Sequence, residues 1–469
     1  MTSDLRPGLW RDLINAVRGT EMDYTKGPIG RAILLLAVPM MLEMVMESVF
    51  AVVDVYFVAD LGPSAIATVG LTESMLTIMY AVAIGLAMGT TALVSRRIGE
   101  KDKEGAADSA VQAVIVAVAA SLPFALAGIF FSKDLLRLMG ADDWTLAHGY
   151  RYTAWMLGGN AVIMLLFVIN AIFRGAGDAA VAMRVLWVAN GLNIVLDPLL
   201  IYGWGPVPAM GIEGAAIATN IGRGVGVLMQ LWVLLRGAKH IRVAAWHLHL
   251  HPEVMWRLVR TSVGGIGQFI IATSSWLFLV RIISEFGSGA VAGYTLAMRI
   301  FIFTLLPAWG VSNAAATLVG QNLGAGQPDR AERSVWITGW VNMVFLLLVS
   351  VVYVVFPQQL VRIFTTDPEV VAHGSECLRI VAYGYLLFAW GMVMPQAFNG
   401  AGDTLTPTKL NFFIYWIFEI PLAYWLAMKL GGEGLGPKGV YWSIVAAESS
   451  AGLVGIWLFR RGTWKKVKV

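Results

Sequence analysis

The chain has 469 residues, 58% of them hydrophobic and only 14% charged. A soluble chain of this length carries roughly a quarter charged residues, so the composition excludes a set of soluble domains and points to a polytopic membrane protein. The net charge of +4 gives no basis for a nucleic-acid partner, and the single cysteine, Cys377, excludes an intrachain disulfide and a cysteine metal site.

The first segment, "MTSDLRPGLWRDLINAVRGTEMDYTKGPIG", has no apolar core and does not read as a cleavable signal peptide. Leu9, Trp10, Leu13, Ile14 and Val17 recur at helical spacing and predict a short amphipathic helix on the cytoplasmic membrane face. Twelve apolar spans follow, at 31–59, 66–94, 109–131, 148–171, 182–203, 210–235, 258–284, 291–319, 334–356, 375–397, 408–430 and 437–459. Each offers the roughly 20 residues that a membrane-crossing helix needs.

The chain repeats itself without gaps at an offset of 225 residues. Gly62, Ala65, Ala67 and Leu71 match Gly287, Ala290, Ala292 and Leu296. Gly85 and Gly99 match Gly310 and Gly324, and "FRGAGD" at 173–178 matches "FNGAGD" at 398–403. The expected fold is all-α, with twelve transmembrane helices in two parallel-repeat lobes of six. The expected division is 1–24, an N-terminal amphipathic segment; 25–235, the first lobe; 236–257, a linker; 258–460, the second lobe; and 461–469, a basic tail. Arg and Lys concentrate in the N-terminal segment, in the second loop (Arg96, Arg97, Lys101, Lys103), in the linker and in the tail. The positive-inside rule then makes both termini cytoplasmic.

Acids at membrane depth are the main functional signal. Asp197 lies in "NIVLDPLLIYG" of the fifth span, with Asn193 four residues earlier on the same helical face. Asp54 lies near the outer end of the first span, and Tyr152 and Thr219 fall at matching depth in the fourth and sixth. At the repeat offset, Asp54 becomes Leu279 and Asp197 becomes Leu422, so this polar set belongs to one half. Two carboxylates in a low-dielectric cleft form a proton or cation site, whereas an acid that merely caps or pairs in the bundle is the structural alternative.

Glu43 and Glu47 share a helical stripe with Asp54. Arg223 falls at a depth similar to Glu43, and two readings are open: an Arg223–glutamate pair, or the lining of a cavity for a cationic substrate. Gln268 occupies the middle of the seventh span. Pro39 removes one backbone hydrogen bond and is either a static kink or a hinge. Met40, Met41, Met44 and Met46 surround it and suit either packing or an adaptable ligand wall. In the second half Glu419, Glu448, Arg281 and Arg299 are expected to pair among themselves. His247, His249 and His251 alternate in "WHLHLHP" and would share a metal only on a strand; the segment reads as a solvated linker without a metal. The glycines of both "GAGD" motifs read as turn residues.

"AVPMMLEMVMESVFAVVDVYFVADLG", "FRGAGD" with "FNGAGD", "NIVLDPLLIYG" and "GIEGAAIAT" resemble the multidrug and toxic compound extrusion (MATE) transporters over about residues 25 to 460. The pattern is similar to the branch related to the DNA-damage-inducible F protein. That resemblance implies a V of two six-helix lobes and a coupling site at Asp54, Asn193 and Asp197, completed by Tyr152 and Thr219. The other main bacterial branch places a glutamate on the seventh helix, where this chain has Gln268. Glu43 and Glu47 depart from the branch pattern.

The expected function is an inner-membrane antiporter of a bacterium or archaeon. It would export amphipathic or cationic organic compounds in exchange for protons, with sodium as the other candidate ion, as a monomer in the lipid bilayer and without a cofactor. A flippase for lipid-linked sugars, a channel and an intramembrane enzyme are the alternatives. No GxxxxGK[ST], HExxH or GxSxG occurs to support an ATPase or a hydrolase.

Overall fold

A computed structural model describes residues 8–20, 22–237, 241–429 and 434–467. Arg6 and Lys239, which contribute to the charge asymmetry, lie outside the described residues. A short helix, α1 (Leu9–Arg18), precedes the first lobe. That lobe comprises α2 (Ile29–Ala59), α3 (Pro63–Gly99), α4 (Lys103–Leu138), α5 (Tyr150–Gly158), α6 (Asn160–Ala176), α7 (Ala179–Tyr202) and α8 (Ile212–Arg236). The second comprises α9 (Pro252–Ile283), α10 (Ser288–Gly324), α11 (Pro328–Val355), α12 (Pro357–Arg362), α13 (Pro368–Ala382), α14 (Tyr385–Ala401), α15 (Leu405–Asn411), α16 (Ile420–Met428) and α17 (Pro437–Arg460). A π-helical turn, Thr145–Gly149, leads into α5, and another, Phe412–Glu419, joins α15 to α16.

Among the described residues, eleven helical stretches are long and apolar enough to cross a membrane, and α13 with α14 makes a twelfth only as a pair bent by 65°. The tenth span, 375–397, is therefore broken rather than straight. Gly384 stands at that break, and Gly159 stands at the junction of α5 and α6 at the repeated position. The repeat also fixes how helices end. Gly177 and Gly402 terminate α6 and α14 at φ of +88° and +90°, a left-handed conformation that a Cβ would strain. This is the turn role expected of the "GAGD" glycines, but only for the second of each motif; Gly175 and Gly400 lie within the helices, against the Thr91 and Ala316 backbones.

The lobes exchange partners. α2 packs against α10 far more than against α3, and α3 packs against α9. Small residues make these crossings close. A side chain at Gly99 would collide with the Gln321 backbone, and one at Gly324 with the Arg96 carbonyl. Gln321 donates to the Gly175 carbonyl at 2.9 Å, and Arg96, its counterpart in the repeat, reaches the Ala401 carbonyl at 3.4 Å. These ties join the two lobes at the end that carries the linker and the C-terminal residues.

Two expectations are corrected. The linker is not simply solvated: Ile241 and Val243 are buried in the first lobe's core, and His247 is buried as well. In the C-terminal segment Trp464 is fully buried and stacks on Phe459 at 4.7 Å, while Lys465 pairs with Glu332 at 2.6 Å. The second half's intramembrane charges do not pair as a group. Arg281 pairs with Glu285, and Arg299 lies within electrostatic range of Glu73 of the first lobe. Glu448 accepts a hydrogen bond from Tyr415 at 3.3 Å and lies within electrostatic range of Glu419.

Candidate functional site

α7 places Asp197 inside the first lobe. It is fully buried, between Pro198, which removes a helix hydrogen bond, and the rest of α7. Asn193, one turn earlier, projects from the same face toward α8. Its amide has Asp197 Oδ2 on one side and Thr219 on the other. With the nitrogen turned to Thr219 Oγ1, at 3.2 Å, the amide oxygen would face the carboxylate, acceptor against acceptor. Turned the other way, the nitrogen donates to Asp197 Oδ2 at 2.9 Å, and the oxygen accepts from the Thr219 N–H at 2.9 Å and from its hydroxyl at 3.2 Å. The second orientation satisfies both polar atoms of the Asn193 amide against an ionised Asp197. The other carboxylate oxygen, Oδ1, is buried without a hydrogen-bond partner.

Asp54, on α2, lies within electrostatic range of Asp197. Tyr152, buried on α5, lies within range of both acids and of Glu73 on α3. Asn193, Asp197 and Thr219 are therefore in direct contact, Asp54 and Tyr152 lie within electrostatic range of Asp197, and Glu73 lies within range of Tyr152.

A second cluster lies further along α2. Glu43 is buried; its Oε1 accepts from Arg174 Nη1 and from Asn170 Nδ2, each at 3.1 Å. Asn170 in turn accepts from the buried Gln230 at 2.6 Å. Glu47 Oε1 pairs with Arg223 Nη2 at 3.2 Å, and its Oε2 accepts from Asn190 at 2.8 Å. Arg223 is buried, sits 5.3 Å from the Phe50 ring and lies within electrostatic range of Asp54. It stands between the two clusters.

Glu43 and Glu47 line a cavity of about 230 Å³ between the lobes. Met44, Phe167, Asn170 and Arg174 line the first-lobe side, and Leu306, Trp309, Asn313, Gln396 and Asn399 the second. Arg223 and Gln268 do not line it. Arg223 stands behind Glu47, and Gln268 stands behind Asn399, to which it is hydrogen-bonded at 3.0 Å. Asp54 and Asp197 are also outside the cavity lining. Pro39 lies within an unbroken α2, and of the neighbouring methionines Met44 reaches the cavity while Met40 is packed in the core.

Arg174, Asn170, Asn190, Glu73 and Trp309 were not singled out from the sequence. Arg174 had a signal. "FRGAGD" and "FNGAGD" differ only at this residue, and Glu43 differs from its own repeat counterpart, Gln268, in the same sense. Charge replaces amide at both positions together.

The sequence matches the MatE family over residues 39–199 and 266–425, one match in each lobe. The chain belongs to this family. This MatE protein is 26% identical over 450 residues to the probable multidrug resistance protein YoeA of Bacillus subtilis, covering 95% of this chain and 96% of that one. It is 27% identical to the probable multidrug resistance protein NorM of Thermotoga maritima, over 93% and 94% of the two chains. A crystal structure of a MATE protein in complex with MaL6 superposes with a TM-score of 0.88 at 27% identity, covering 95% of this chain and 99% of that one. The V-shaped MATE fold of two six-helix lobes is therefore the architecture of this MatE chain, which is a multi-pass membrane transporter and not an enzyme.

Proposed function

We propose that this transporter exports amphipathic organic compounds, organic cations among them, in exchange for protons, and that Asp54 and Asp197 carry the proton. The observation that supports this most directly is the buried Asp197, whose Oδ2 is held by the Asn193 amide while its Oδ1 has no hydrogen-bond partner. Against an ionised Asp197, the Asn193 nitrogen donates to the carboxylate. Oδ1, buried and without a hydrogen-bond partner, is free to take up the proton without breaking that bond.

Arg223 offers a route from proton to substrate. Its charge is shared between Glu47, at the cavity wall, and Asp54, so a proton on Asp54 leaves Arg223 to Glu47 alone. The cavity's acids are compensated by Arg174 and Arg223. A bound cation would therefore compete with those arginines, while an aromatic substrate would find Phe167 and Trp309. A flippase for lipid-linked sugars would need surplus positive charge, which Arg174, committed to Glu43, does not supply. Two carboxylates and an amide oxygen also suit sodium as the coupling ion.

One proton moving through 100 mV supplies about 2.3 kcal/mol, equivalent to roughly fifty-fold in concentration. In this reading the termini and linker face the cytoplasm of a bacterial or archaeal inner membrane, the protein works as a monomer, and it falls in the branch resembling the DNA-damage-inducible F protein. The deciding experiment is uptake of a fluorescent organic cation by proteoliposomes under separately imposed pH and sodium gradients. Uptake driven by the pH gradient alone supports the reading; uptake driven by neither gradient overturns it.

A further inference from the structure

The three linker histidines have separate roles. His247 is buried and committed: Nδ1 accepts from the Ala244 N–H at 3.0 Å, and Nε2 lies 2.6 Å from Glu104 Oε2 on α4. His249 and His251 are not committed in this way. Gln112, fully buried on α4, grips the backbone at both: its Nε2 donates to the His249 carbonyl at 2.7 Å, and its Oε1 accepts from the His251 N–H at 3.2 Å. The chain bends at His249, and the two rings lie 4.2 Å apart between centroids. Asp108, one turn before Gln112 on the same face of α4, reaches the same point, with Oδ2 3.6 Å from His251 Nε2. One donor atom from each of Asp108, His249 and His251 lies within 4.8 Å of the other two. Asp108 Oδ1 and His251 Nε2 are both buried without a hydrogen-bond partner. Leaving buried polar atoms in this state costs about 1–3 kcal/mol each, so the cluster is completed by something that binds both.

We propose that Asp108, His249 and His251 bind a divalent transition-metal ion, zinc being the best fit. Two imidazole nitrogens and one carboxylate oxygen are ligands that zinc, nickel and cobalt share. Ligand atoms about 2.0–2.1 Å from a tetrahedral ion stand roughly 3.3 Å apart, close to the spacing of Asp108 and His251. His249 is exposed, so a rotamer change brings its ring the remaining distance, and the fourth position is left to water. Asp108 belongs to the first lobe, while His251 directly precedes Pro252, the first residue of the second lobe's first helix. The ion therefore pins the linker to α4 where the chain crosses between lobes, and restrains the relative motion of the lobes from outside the transport path.

The test uses tag-free full-length protein in detergent, stripped with EDTA and titrated with zinc chloride by calorimetry. One ion per chain is expected. His249→Ala and His251→Ala should each weaken binding at least tenfold, about the loss expected when a metal site is damaged. His148→Ala, in the π-helical turn before α5, should not. Zinc should also slow amide hydrogen exchange across residues 244–251 in the parent protein and leave it unchanged in the His249→Ala, His251→Ala double variant. Absence of saturable binding, or binding that survives the double variant, overturns the proposal.

Discussion

Gln268 and Asn399 exchange two hydrogen bonds, Nε2 to Oδ1 at 3.0 Å and Nδ2 to Oε1 at 3.2 Å. Their repeat counterparts are Glu43 and Arg174, which form a buried ion pair at 3.1 Å. One scaffold position thus holds a neutral amide pair in one lobe and a charged pair in the other. The same two positions are bonded to each other in each lobe, and only the first lobe carries charge there.

This relationship predicts an interchange. Arg174→Asn alone leaves Glu43 buried without its cation, and Glu43→Gln alone leaves Arg174 without its anion. Each should cost about 3–5 kcal/mol, as breaking a buried pair from one side does. The double variant Glu43→Gln, Arg174→Asn recreates the second lobe's pair and should recover most of that loss. Thermal unfolding in detergent measures it; a double variant no more stable than either single one would refute the equivalence.

Asp197→Asn should fold, because the amide is nearly isosteric and removes a buried charge. It also removes a proton-accepting group, since an amide does not take up a proton near neutral pH. Transport driven by a pH gradient should disappear in proteoliposomes, while substrate binding persists. Transport at the parent rate would assign Asp197 to structure alone.

Gly99 sits where the lobes touch near the linker, and any side chain there meets the Gln321 backbone. Gly99→Val should wedge this end apart and reduce transport. In a Cys377→Ala background, a cysteine replacing Ser95, which is fully buried against Gly320 in the same contact, should react with maleimide several-fold faster when Gly99→Val is added. Equal labelling rates would show that the contact does not depend on this glycine.

Glu419 and Glu448 test whether proton coupling is confined to one lobe. Neither lines the cavity, and neither forms an ion pair among the described residues. Glu419→Gln and Glu448→Gln should leave the pH profile of transport intact, even if the lost Tyr415 contact slows the rate. A shift as large as that produced by Asp54→Asn would extend the coupling site to both lobes.

Much of this molecule is written linearly. The length of an apolar run is a property of consecutive residues, so the spans could be read directly, and the 225-residue offset displayed the two lobes. The depth of Asp54, Asn193, Asp197, Tyr152 and Thr219 followed by counting along each span, because a helix rises by a fixed amount per residue. Where lateral placement mattered, counting ran out. Depth alone could not decide which glutamate Arg223 would meet: the structure pairs it with Glu47 and gives Glu43 to Arg174. That choice depends on how α2, α6 and α8 are rotated about their axes and which of them are neighbours, and neither is encoded in hydropathy. The 65° break between α13 and α14 was hidden for a related reason, since a bent span is as apolar as a straight one. The linker histidines show the limit most plainly. Their alternation was visible, but Asp108 and Gln112 approach them across 137 or more residues of chain. Only the packing of the linker on α4 brings those side chains together, because burial of Ile241 and Val243 draws the segment onto the first lobe.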